Sequence, residues 1–108
     1  MFDPQTARRL LIYGGSFDPP HRAHLSLPFH AAEAIDADGV LYVPSGQPPH
    51  KRDRRLTPGE HRVEMLRRGL GDAADAAIEM HELQTPGPHY TINTLEHLRD
   101  RLPRSAEM

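Results

Sequence analysis

The sequence predicts an α/β fold, a doubly wound parallel sheet of which a βαβαβα half is present and the C-terminal strands are missing. Two observations carry this. Short apolar runs closed by Gly or Pro alternate with segments whose apolar residues recur at helical spacing, and the first run leads directly into a Gly-Gly turn that opens a helix. Strands separated by helices pair in parallel through right-handed crossovers, and in this plan ligands sit beyond the carboxyl ends of the strands.

The elements follow in order. Arg9 to Tyr13 reads as a buried strand ended by Gly14-Gly15. From Ala23 to Ile35, Leu27, Ala31, Ala34 and Ile35 form an apolar helical stripe, with Pro28 expected to kink the helix or delay its start. Val40 to Val43, closed by Pro44, is a second strand, and Ser45 to Arg55 a mobile loop rich in proline and charge. Thr57-Pro58-Gly59-Glu60 supplies an N-cap Thr, a Pro at the first helical position and a capping-box Glu to a helix carrying Val63, Leu66 and Leu70. Ala76 to Met80 is a weak third strand. A last helix carries Ile92, Leu95, Leu98 and Leu102, with Thr91 or a neighbour as cap. In the doubly wound plan strand one is central, so a sheet that stops here leaves it as an exposed parallel edge. Residues 1–108 are therefore expected to be the N-terminal portion of a single, truncated domain ending in a short polar tail.

Composition narrows the chemistry. Thirteen Lys and Arg against 15 Asp and Glu leave a net charge of -2, no global field to recruit nucleic acid or an anionic membrane, so an anionic ligand must be held locally. The absence of cysteine excludes disulfides, thiolate metal sites and a cysteine nucleophile, and suits the cytoplasm. The longest apolar run near the start, Leu10 to Tyr13, is too short for a signal core or a membrane span.

The chemistry concentrates in Gly14-Gly15-Ser16-Phe17-Asp18-Pro19-Pro20-His21-Arg22-Ala23-His24. Paired glycines let backbone approach a phosphate without a Cβ in the way, and a helix start adds unpaired N–H groups and partial positive charge. His21 and His24, three apart, can point both imidazoles at the same phosphate, while Asp18 braces the turn. The stretch resembles the signature of the nucleotidylyltransferase superfamily, Gly-(Ser or Thr)-Phe-Asp-Pro followed by His-x-Gly-His, with Ala23 where the family usually has Gly.

Three more segments resemble the bacterial nicotinate-mononucleotide adenylyltransferases: Val43 to Lys51 with its Pro-Pro-His-Lys run, Glu60-His61-Arg62 with Met65, and Glu82-Leu83 followed by Gly87 to Leu95, in which His89 and Asn93 replace the usual Ser and Asp. The resemblance implies a Rossmann-like fold and adenylyl transfer from ATP to nicotinate mononucleotide in NAD biosynthesis, with Mg²⁺ on the ATP phosphates and no dedicated metal ligands. It implies His21 and His24 as catalytic groups, Gly14, Gly15, Ser16 and Phe17 with them at the phosphates, and Lys51, Tyr90, Thr91 and Thr94 at the second substrate.

Plainer roles stand beside these. Thr91 can be a simple cap, Thr94 can bond back to its own helix, and His50, Lys51 and Arg52 can be ordinary solvated loop residues. Glu60, His61 and Arg62 are accounted for by the helix start. The family's later Ile-Ser-x-Thr-x-x-Arg segment does not occur here, so the isolated chain is expected to bind nucleotide weakly and turn over little or nothing. Competing readings are another adenylyl- or cytidylyltransferase of the superfamily, a non-catalytic remnant pairing through strand one, and a zinc module in which His21 and His24 are the only tight pair among eight histidines. Self-association is left open.

Overall fold

The computed structural model describes residues 2–46, 56–103 and 106–108. The chain folds as β1 (Leu10–Gly15), α1 (Arg22–Ala34), β2 (Gly39–Pro44), α2 (Gly59–Leu70), β3 (Ala76–Ile78), α3 (His81–Gln84) and α4 (Thr91–Arg101), preceded by a single 3₁₀ turn, Pro4–Thr6. The three strands pair in parallel in the order β1-β2-β3, with Leu10 opposite Gly39 and Val40 opposite Ala76. This is a Rossmann-like half sheet, and it delivers the exits of all three strands to one edge.

β2 is buried along its whole length, and its period-two alternation builds both sides of the core. Leu41 and Val43 join Leu10 and Ala77 beneath Leu98 and Leu102 from α4 and its exit, whereas Val40 and Tyr42 join Ala76 beneath Ala32 of α1 and Leu66 and Leu70 of α2. Val63, Leu66 and Leu70 thus bury the face their spacing predicts.

Several local expectations are corrected. Gly14 and Gly15 belong to β1 itself, so the turn starts at Ser16, and β3 stops at Ile78. The stripe Leu27, Ala31, Ala34, Ile35 faces outward, with Leu27 59% and Ile35 45% exposed, because Pro28, Ala32, Leu25 and Phe29 meet the sheet instead. Ile92 is likewise exposed, while Leu98 and Leu102 are buried. Pro28 lies within a continuous helix rather than at its start. Thr57 does not cap α2: Pro58 occupies the cap position with no side-chain bond, since Thr57 is drawn to the neighbouring loop by its own backbone. At α4 the cap position falls on Tyr90, the neighbour of Thr91, as the expectation allowed, but with no side-chain bond.

The tail also has structure. Leu10 donates its N–H to the Glu107 carbonyl at 2.7 Å and Glu107 donates to Arg8 at 2.8 Å, an ion pair joins Arg9 to Glu107, and Ala106 is buried. Two rungs therefore cover the start of β1's outer edge.

Candidate functional site

At the exit of β1 the chain turns through Ser16 and Phe17 into α1. Phe17 has a φ of +50°, a left-handed conformation costing of order 1 kcal/mol for a side chain of this kind, and its ring is only 2% exposed. Packing holds it there: the ring lies 5.7 Å from Tyr13 and Tyr42 and edge-on to His24 at 5.2 Å. Gly15 lets the Phe17 ring pack closely, since a Cβ there would come to 3.2 Å of the ring and press it aside by a few tenths of an ångström. Gly14 differs, because it is exposed and a Cβ there would meet nothing nearer than the Val43 carbonyl at 3.8 Å. That leaves open backbone beside the helix start.

His21 and His24 come together as their spacing predicts, with rings stacked at 3.6 Å between centroids. The His21 backbone N–H donates to His24 Nδ1 at 3.1 Å, so the neutral His24 ring carries its proton on Nε2, free to donate away from the backbone. Burial, then the neighbouring His21, holds the His24 pKa below its usual 6.5. The fold thus places an imidazole donor at the start of α1, on the connection that leaves the exposed Gly14 end of β1.

Asp18 braces this turn by accepting the Thr57 N–H at 2.9 Å. The larger brace is Arg62, which the helix-start reading undervalued. Its guanidinium is 3% exposed and donates to the carbonyls of Thr57 at 2.7 Å, Ser16 at 3.0 Å and Ser45 at 2.8 Å, pinning the exits of β1 and β2 and the entry of α2. Burial lowers its pKa while Asp18 opposes the shift, and a guanidinium stays charged regardless. The signal available in the sequence was the placement of Arg62 four residues before Leu66, on the apolar stripe of the helix.

A second wall forms where β2 and β3 end. Glu82 accepts the Gly46 N–H at 3.1 Å and the Thr94 hydroxyl at 2.8 Å, joining the β2 exit to the first turn of α4. Thr94 is therefore buried, and its hydroxyl is engaged with Glu82 rather than returned to its own helix. A Cβ on Gly46 would lie 2.4 Å from the Glu82 carbonyl oxygen, so this close approach requires glycine. Thr91 and Tyr90 are exposed on the same side, Tyr90 at 50%. His81 stacks on His97 at 3.7 Å with His89 edge-on at 6.1 Å, a second imidazole pair that sequence separation concealed. Among the described residues no group of three or more His, Asp or Glu is arranged to hold a metal ion, and no helix is long and apolar enough to cross a membrane. Lys51, with His50 and Arg52, lies outside the described residues.

Similarity to known proteins agrees with this geometry. The chain is 38% identical over 96 residues to a probable nicotinate-nucleotide adenylyltransferase of Bacillus licheniformis, covering 89% of this chain and 51% of that protein. Proteins of the same name from Thermomicrobium roseum and Clostridium acetobutylicum are 43% and 38% identical, over 84% and 83% of this chain and 42% and 45% of their own lengths. The chain thus spans about half the length of the curated relatives it matches. Residues 12–99, from β1 into α4, match the cytidylyltransferase-like family model, and the chain belongs to that family.

Proposed function

We propose that the chain forms the phosphate-binding part of a site for adenylyl transfer from ATP to nicotinate mononucleotide, yielding nicotinate adenine dinucleotide and pyrophosphate in the cytoplasm as a step of NAD biosynthesis. The observation that carries the reading is the stacked His21–His24 pair at the start of α1, on the connection from the exposed Gly14 at the carboxyl end of β1. A mononucleotide phosphate oxygen attacks the α-phosphorus of ATP, the bond to the β-phosphate oxygen breaks, and pyrophosphate leaves. The protein forms no covalent bond. It aligns two polyanions and directs His24 Nε2–H, His21 and the N–H groups of the first turn at developing charge. Magnesium travels on the ATP phosphates as part of the substrate. Gly14, Gly15, Ser16 and Phe17 shape the phosphate seat, and Lys51, Tyr90, Thr91 and Thr94 are assigned to the mononucleotide side, Thr94 through its bond to Glu82.

The test is an NMR titration with Mg-ATP, alongside pyrophosphate release measured separately with nicotinate and nicotinamide mononucleotides. Shifts at Gly14 to Ser16, His21 and His24 are expected, and are lost in His24→Ala. Release, where it is seen, is expected with the acid. Shifts confined to other surfaces, or an undiminished response in His24→Ala, would overturn the assignment.

A further inference from the structure

Pro28 sits inside α1. A helix bonds each N–H to the carbonyl four residues earlier, so the donor due to the His24 carbonyl is the N–H that proline lacks. The structure supplies a substitute: the Tyr42 hydroxyl donates to the His24 carbonyl oxygen at 2.7 Å. Tyr42 is on the central strand, fully buried, with Tyr13, Phe17 and Phe29 against its ring. A proline in one element and a tyrosine in another thus complete one hydrogen bond at the residue whose imidazole faces the anion site.

We infer that Tyr42 is a positioning residue for His24, tying the first turn of α1 to the sheet and thereby fixing where His24 Nε2–H points. Besides its stack on His21, the His24 ring is restrained by the N–H donated by His21 to Nδ1 and by the edge contact with Phe17. Both depend on the backbone of that turn being held. Burial pushes the Tyr42 phenol up to about 12, so the hydroxyl remains a donor throughout the range in which His24 titrates.

This deepens the functional reading and rests on it for its consequence, but the restraint is measurable without nucleotide. The experiment compares wild type, Tyr42→Phe, Pro28→Ala and the double variant of the full chain by ¹⁵N NMR of the His24 ring, then by Mg-ATP titration. Wild type should show the Nε2–H tautomer. Tyr42→Phe should mix the tautomers and weaken Mg-ATP about five-fold, the change carried by one hydrogen bond of ordinary strength. In the double variant the Pro28→Ala change restores a backbone N–H that can donate to the same carbonyl, and both readouts should return to near the values of Pro28→Ala alone. Folding of the double variant where Tyr42→Phe alone does not fold counts as the same rescue. An unchanged His24 tautomer in Tyr42→Phe, or a defect that Pro28→Ala does not relieve, would overturn the inference. No Mg-ATP response in any variant would refute the functional reading, and the tautomer result would still decide the positioning role.

Discussion

Replacing Arg62 with methionine keeps an unbranched apolar stem in place and removes the guanidinium with its five donors. Three carbonyls on three separate segments then lose their partner, those of Thr57, Ser16 and Ser45. A hydrogen bond from a charged donor contributes about 1.5–3 kcal/mol, but the three are not additive, the cost of burying the charge is recovered, and water can reach the half-buried segments once the head group is gone. The expected net loss is about 2–4 kcal/mol, a large share of the stability of a domain of this size, typically about 5–15 kcal/mol. Urea unfolding measures it, and amide shifts should move at Ser16, Ser45 and Thr57 while Leu98 and Leu102 on the opposite face stay in place. Arg62→Lys should recover little, because one ammonium on a flexible stem cannot reproduce a planar fork spanning three acceptors. A loss below about 1 kcal/mol, or a lysine variant as stable as wild type, would refute the account of Arg62 as the pin that holds the strand exits together.

The helix faces and the second imidazole pair give further tests. Leu66→Ala, at a side chain with no exposure, should cost about 2–5 kcal/mol, whereas Leu27→Ala, on the outward stripe, should stay within about 0.5 kcal/mol; equal costs would put α1 in the wrong rotation. Burial, then the charges of His97 and His89, lowers the His81 pKa below 6.5, with Glu82 opposing. Its neutral form is favoured in the folded chain, so the associated stability is present above pH 6.5 and lost as pH falls from there through the lowered folded value. Protection of the Gly46 amide, held by Glu82 beside His81, should fall over the same interval in wild type and less so in His97→Phe, which keeps a ring for His81 to stack on but cannot titrate; identical profiles would remove the imidazole pair from the explanation.

The alternation of strands and helices, the parallel sheet and the pairing of His21 with His24 were legible in the sequence, because those signals are local. Strand runs, helix starts and an i, i+3 pair of imidazoles are fixed by neighbours within a turn or two of chain. Which stripe of α1 faces the core was not legible, since Leu25, Phe29 and Ala32 compete with Leu27, Ala31 and Ala34 at the same periodicity, and only docking against Tyr42 and Leu66 selects between them. The braces of the site were equally hidden. Arg62 reaches Ser16 across 46 positions, Glu82 reaches Gly46 across 36, and Tyr42 completes a bond that Pro28 leaves open in another element. A buried donor is drawn to whichever carbonyl the fold brings within about 3 Å, and that is decided by tertiary packing.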